Sequence, residues 1–228
     1  MRFLGSERGQ AHEGWYRLVA EHYDDLHDPR RASKAYPFLH DILRRHAPVR
    51  DVIDFACGTF ALDWPLLRRG YRVVGRDRSD AMLRVARALV RRRSRPADVA
   101  RGDMRTARVP GTFDAVLCLG TAFNYLTIPV DIRAALRNFH RHLRPGGILV
   151  LDLTNFDAWI REPMNARAEV DVRTADGRRI TIFAYNDQEL ERRIHHARFL
   201  TLVERGGRVD VLWAEAPLRI WSKRELAD

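Results

Sequence analysis

Five short apolar runs constrain this chain more than any other feature. Val52 to Ala56, Tyr71 to Gly75, Asp98 to Arg101, Phe113 to Leu119 and Ile148 to Leu153 each read as a strand, and stretches with helical spacing separate most of them. Leu62 to Arg69 ends at Gly70, the residue type that closes a helix in a left-handed turn. Ser79 is placed to cap a helix in which Met82, Leu83, Ala86 and Leu89/Val90 recur on one face. Ile132, Leu136, Phe139 and Leu143 mark another, closed by Pro145-Gly146-Gly147. Alternating strands and helices require crossover connections, which give a parallel sheet with helices on both faces and a right-handed path. The expected fold is therefore a doubly wound, mostly parallel α/β sheet. Glu13 to Leu26 and Ala35 to His46 read as two further helices that could pack beside it.

After Asn165 the apolar period changes from 3.6 to 2. Ile180 to Tyr185, Phe199 to Val203 and Val209 to Trp213 alternate as strands, with turn signals at Asp176-Gly177 and Gly206-Gly207. This reads as an antiparallel meander following the fifth core strand. It serves either as a lid over a substrate or as packing against another copy. Ser222 and Glu225 have the spacing of a helix capping box, with Leu226, Ala227 and Asp228 after them. The expectation is one domain over 1–228, with N-terminal helices in 1–47, a core in 48–155 and a β-rich insertion in 166–221. No further core strands follow the meander, so one edge of a five-stranded parallel sheet needs cover from the meander, a partner or a lost segment.

The composition, 46% apolar and 31% charged, is that of a soluble globular domain. No run approaches membrane-spanning length, and Met1 to Trp15 carries charges and glycines where a signal peptide needs an apolar core. The reading is a cytoplasmic protein with no membrane partner. Cys57 and Cys118 lie far apart and give neither a disulfide framework nor metal-ligand spacing, so no metal is expected. The net charge of +10 comes from basic residues that are all arginine except Lys34 and Lys223. A basic surface attracts nucleic acid nonspecifically, but the densest run, Arg91 to Arg93 with Arg95, falls where a helix should end and complements its dipole.

In an open parallel sheet, ligands bind beyond the carboxyl ends of the strands, where strand order reverses. Three such ends carry suitable residues. Ala56-Cys57-Gly58-Thr59 is a small-residue turn in which backbone amides and a following helix could approach a ligand carboxylate. Asp77, about twenty positions beyond Asp54, can accept from both hydroxyls of a ribose. Gly102-Asp103-Met104 offers an acceptor for an adenine amino group beside an apolar wall.

In order and spacing these segments resemble class I S-adenosylmethionine-dependent methyltransferases. Val52 to Thr59 is similar to their first motif and Gly75 to Leu83 to their second. Gly102 to Arg105, Phe113 to Val116 and Leu143 to Gly147 continue the pattern. The resemblance spans roughly Tyr23 to Leu153 and is nearest to small-molecule members, including amino-sugar N-methyltransferases, which also carry a strand-rich segment after the fifth strand. It implies S-adenosylmethionine as cofactor. Ala56, Cys57 and Gly58 would line its methionine portion, Asp77 with Arg78 and Met82 the ribose side, and Asp103 with Met104 the adenine. Leu119 and Gly120 would flank the reacting sulfur, and Tyr23 would close over the cofactor.

The implied activity is in-line methyl transfer to an N or O atom of a small molecule, with a homodimer possible. Tyr23, His27 and Tyr125 are weak candidates for a base; Asp152, His195 and His196 are more remote ones. Two departures stand out. The family usually has glycine at the positions of Ala56 and Phe60, and the Phe60 ring either turns into the sheet–helix interface or crowds the cofactor's amino-acid end. Crowding would favour the alternative of a non-catalytic cofactor-binding scaffold or regulator. A methyltransferase acting on nucleic acid or protein is a further alternative, although Gly120-Thr121-Ala122-Phe123 stands where nucleic-acid adenine methyltransferases carry Asn/Asp-Pro-Pro-aromatic. A nicotinamide dehydrogenase would need a Gly-x-Gly-x-x-Gly turn that is absent here.

Overall fold

A computed structural model describes residues 1–8, 13–28, 30–46, 48–93, 95–156 and 168–227. The chain divides into two compact units. One comprises His27–Phe123 and Ile128–Asp152, the other Met1–Leu26, Asn124–Thr127 and Leu153–Asp228.

The first unit is the parallel sheet that the alternation of runs requires. Its strands are β2 (Asp51–Phe55), β3 (Arg72–Asp77), β4 (Asp98–Arg101), β5 (Phe113–Cys118) and β6 (Leu143–Leu151), in the order β4-β3-β2-β5-β6. All neighbours are parallel. The helices are α2 (Arg31–Arg45), α3 (Trp64–Arg68), α4 (Asp80–Arg92) and α5 (Pro129–His142). Period-2 alternation sends β2 side chains to both faces. Val52 joins Leu43, Leu66 and Leu83 in one core layer, while Phe55 packs on Phe139 of α5 at 5.3 Å between ring centres. As expected, Ser79 caps α4, its hydroxyl accepting from the Met82 N–H at 3.4 Å. The extended run of β6 begins at Leu143, directly after α5, so Pro145-Gly146-Gly147 lies within an irregular strand start and not in a helix cap.

The second unit is built on β1 (Arg2–Arg8), β7 (Ala168–Arg173), β8 (Arg179–Glu189), β9 (Ile194–Arg205) and β10 (Arg208–Arg219), ordered β1-β10-β9-β8-β7. The meander is present, and Gly206 and Gly207 both take positive φ (54° and 75°) in the two-residue turn between β9 and β10, as a type I′ hairpin demands. The start of the expected insertion, 166–167, lies outside the described residues. Two N-terminal expectations need correction. Residues 2–8 form a strand parallel to β10, which no local periodicity announced because an edge strand is defined by its distant partner. Glu13 to Leu26 is not one helix: α1 (Glu13–Val19) gives way to a 3₁₀ turn at Ala20–His22. Trp15, Leu18 and Leu26 pack against Ile180, Ile182 and Val203 of the second sheet. The meander pairs within its own sheet and, among the described residues, β6 pairs with β5 alone. Of the three ways of covering that edge, strand pairing by the meander is absent among the described residues. The C-terminal capping box is present at the head of α6 (Lys223–Ala227): the Ser222 hydroxyl accepts from the Glu225 N–H at 3.2 Å, and Glu225 accepts from the Ser222 N–H at 3.1 Å.

The turn after β2 explains the two departures from the family pattern. Ala56 (φ 69°) and Phe60 (φ 66°) both sit in the left-handed region that glycine occupies freely. The Phe60 ring is fully buried in the core layer. It lies across Gly75 of β3, where an added Cβ would stand 3.0 Å from the ring and 2.8 Å from the Cys57 sulfur. Phe60 therefore turns into the interior, and Gly75 makes the room. Gly75→Ala is expected to cost about 1–3 kcal/mol through overpacking, read as a lower urea midpoint; an unchanged midpoint would remove the ring from that space. Ala56→Gly is expected to raise stability by up to about 1 kcal/mol, since a left-handed alanine costs about 1–2 kcal/mol and glycine loses about 0.5–1 kcal/mol more chain entropy. A fall in the midpoint would show the turn to be unstrained.

Candidate functional site

Strand order reverses between β2 and β5, so their carboxyl ends open the crevice in which such a sheet holds ligands. The turn there is closed by its own hydrogen bonds. The Ala56 and Cys57 N–H groups both donate to the Arg76 carbonyl, at 2.6 and 3.2 Å, and the Gly58 N–H donates to Asp77 at 2.8 Å. The expectation that these amides await a ligand is corrected, because all three have internal acceptors. Nor does a helix begin at the turn: α3 starts at Trp64 and has five residues. Asp77 uses its second oxygen to accept from the Ser79 N–H at 2.8 Å, bracing the turn against the start of α4.

Beneath the turn lies a pair of carboxyl groups. Asp54 is 1% exposed and Asp63 is fully buried. Desolvation pushes Asp54 well up, with the charges of Asp63 and Asp77 adding to it and the Leu119 N–H opposing. Burial likewise raises Asp63 to about 7, against a hydrogen bond from Asp54. Burial thus favours the protonated form at both positions. Burial first, then these same carboxylates, drives the Cys57 thiol far above its ordinary range, and Cys118 rises in the same way. Both cysteines are free and chemically quiet.

Along the crevice, Asp103 lies in a network of arginines. Arg105 reaches both its oxygens, at 2.9 and 2.7 Å, and also Asp131 at 2.7 Å, while Arg78 approaches to 3.5 Å. Desolvation raises the Asp103 pKa, but the hydrogen bonds and charge of Arg105 outweigh it and hold the carboxyl below its usual range. The Met104 carbonyl accepts from Asn138 at 3.0 Å. Met82 is buried on α4 and faces the core. Leu119 and Gly120 follow β5; Gly120 is left-handed (φ 64°) and its N–H donates to Asp152 at 3.0 Å. The guanidinium of Arg31, from the first turn of α2, lies where a Gly120 Cβ would be, 2.8 Å away. A side chain at position 120 would expel it.

Sequence reasoning missed two of these groups. Arg31 is one arginine among many, and its place over Gly120 exists only in three dimensions. Asp63 did leave a signal, as a carboxylate inside the otherwise apolar stretch Ala61-Leu62-Asp63-Trp64.

Of the proposed bases, Tyr23 and Tyr125 belong to the second unit and His27 to the first. Tyr23 meets Trp15 and Tyr16 edge-on at 6.1 Å. Burial and the neighbouring Tyr23 push Tyr125 up to about 12, against a hydrogen bond with Tyr16. Tyr125 therefore holds its proton more firmly than a free tyrosine. His195 is buried on Phe156 and driven down to about 4 by desolvation, which makes it a neutral packing residue. His196 lies between Glu189 and Glu215, at 3.6 and 3.3 Å.

Comparison with known proteins accords with this crevice. Residues 52–147 match a family model described as a methyltransferase domain. The glycine/sarcosine N-methyltransferase of Parasynechococcus marenigrum is 36% identical over 129 residues, 56% of this chain and 45% of that protein. The dTDP-4-amino-2,3,4,6-tetradeoxy-D-glucose N,N-dimethyltransferase of Saccharopolyspora spinosa is 31% identical over 136 residues, 58% of this chain and 53% of that protein. The chain thus spans about half the length of the curated relatives it matches. Among solved structures, the S-adenosylmethionine-bound amino pentose methyltransferase CalS10 from Micromonospora echinaspora superposes with a TM-score of 0.68 at 28% identity, over 85% of this chain and 78% of that one. Residues 52–147 thus match the methyltransferase-domain pattern, and the chain carries the fold of the S-adenosylmethionine-dependent methyltransferases.

Proposed function

We propose that this chain transfers a methyl group from S-adenosylmethionine to the nitrogen of a small-molecule amine, with the crevice at the ends of β2, β3 and β5 holding the donor. The observation that carries this reading is the match between the crevice and the donor's charges. Arg31 presents a cation over Gly120, suited to the donor's carboxylate. Around the turn after β2 lie the carboxyls of Asp54, Asp63 and Asp77, suited to an ammonium, a sulfonium and ribose hydroxyls. The Ala56, Cys57 and Gly58 amides are internally bonded, and the Cys57 carbonyl accepts from the Phe60 N–H at 2.9 Å.

Asp103, held ionised and oriented by Arg105, accepts from the adenine amino group beside Met104 in this reading. Arg78 fixes Asp103, and Met82 supports the ribose side from the core. Leu119 and Gly120 flank the sulfur. The donor supplies a methyl on a leaving group that needs no acid, so positioning and exclusion of water are the protein's main contributions. The preference for nitrogen rests on the relatives, which are described as N-methyltransferases. An amine must arrive, or become, unprotonated before it can attack.

Titration calorimetry with S-adenosylmethionine should show saturable binding, and mass spectrometry over amino acids and amino-sugar nucleotides should find products gaining one or two methyl groups. Binding without methylation of any amine would favour the scaffold reading. Methylation of oligonucleotides or proteins alone would overturn the small-molecule acceptor. Asp77→Ala should weaken donor binding by about 1.5–3 kcal/mol, the range for hydrogen bonds to a charged group. Arg31→Ala should cost a similar amount with the donor and much less with an analogue lacking the carboxylate. Equal losses with both ligands would remove Arg31 from that role.

A further inference from the structure

Three features remained after the crevice was assigned: the aromatic cluster around Trp15 and Tyr23, the His22 site between Asp25 and Asp176, and the buried Asp54–Asp63 pair. The aromatic rings pack edge-on against one another at 5.4 to 6.1 Å between ring centres, which is ordinary core packing. His22 is buried and stands 3.6 Å from two partly exposed carboxylates, Asp25 and Asp176, which account for both ring nitrogens. The carboxyl pair carries an inference further.

Its surroundings are unusual in a chain of net charge +10. The groups that bear on the pair electrostatically are Asp77 on β3 and the Cys57 and Cys118 thiols, with Asp152 acting on Cys118 in turn. None of them is a cation. Apart from its own main-chain N–H and the Asp54 carboxyl, no donor among the described residues reaches either oxygen of Asp63, and none reaches Asp54 Oδ1. A buried acid in this position has two ways to satisfy itself. It can hold a proton, or it can sit opposite a positive charge in a low-dielectric setting. The pair stands at the carboxyl end of β2, the side of the crevice assigned above to the ammonium and sulfonium.

We infer that Asp54 and Asp63 discriminate between the sulfonium donor and its sulfide product, releasing their shared proton to solvent when the donor binds and recovering it once the sulfonium charge has gone. This rests on the proposal that S-adenosylmethionine occupies this crevice. Donor and product carry the same amino acid and nucleoside, so a difference between them isolates the sulfonium charge. The sign follows from linkage: a cation lowers the pKa of the pair, so the proton-bound state is favoured without donor and opposed with it. Donor affinity therefore rises with pH up to the ligand-free pKa of the pair and levels off above it. Product affinity rises less.

Calorimetric titrations of the wild-type protein in buffers of different ionisation enthalpy count protons directly. Near neutral pH, S-adenosylmethionine is expected to release roughly half a proton more than S-adenosylhomocysteine, and the donor-to-product affinity ratio to climb several-fold from about pH 6 to about pH 8. The double variant Asp54→Asn/Asp63→Asn, checked for folding by its thermal transition, should bind both ligands with equal proton counts and a flat ratio. Asp63→Asn alone should lie between these limits. Equal proton release by the two ligands in the wild-type protein overturns the inference while leaving the proposed function intact. Failure of the wild type to bind S-adenosylmethionine overturns both. A wild-type difference that persists unchanged in the folded double variant places the proton elsewhere and overturns the assignment to this pair.

Discussion

One carboxylate organises the crevice. Asp77 accepts from Gly58 on one side and from Ser79 on the other, tying the turn after β2 to the head of α4. Because the Arg76 carbonyl takes the two preceding amides, the chain leaves β2 along a single path with its polar groups committed. That path requires left-handed backbone at Ala56 and Phe60, and the cost is offset where the Phe60 ring fills the space over Gly75. A bulky residue at a position that favours glycine is thus compatible with the fold because glycine stands opposite it on the neighbouring strand.

The charge distribution follows from this geometry. Arginines dominate the surface, yet the ends of β2, β3 and β6 gather carboxylates, two of them buried as a pair. Burying acids without cations is unfavourable unless they are protonated or meet a ligand of opposite charge. The same physics gives Asp103 a different character a short way along the crevice, where Arg105 meets it twice and keeps it ionised. Two acids on either side of β3 are pushed in opposite directions by their immediate partners, as groups of functional sites commonly are.

The second unit illustrates how local and distant contacts share the work of building a sheet. Its hairpin at Gly206-Gly207 is written into two residues able to take positive φ, and β8, β9 and β10 follow from alternation and β-branched content. Its outer strand β1 is held by residues about 200 positions away, including a two-point contact from Arg2 to Asp210.

Much of this protein was legible in its sequence because the deciding interactions are local. Period 3.6 against period 2, the Ser79 cap, the capping box at Ser222 and the glycine turns each depend on residues within a few positions of one another. They define the five parallel strands, the meander and the positions of Asp77, Asp103 and Gly120. The roles of these residues are a different matter. That the Ala56 to Gly58 amides are already bonded, that Tyr125 holds its proton more firmly than a free tyrosine and that Asp103 is locked to Arg105 follow from distances across the fold, which no spacing encodes. β1 escaped notice for the same reason, since its strand conformation is conferred by β10. Arg31 over Gly120 and Asp63 against Asp54 join residues from different elements. Only the tertiary structure could bring them together, because burial and the proximity of charge, which set their chemistry, are properties of the folded chain.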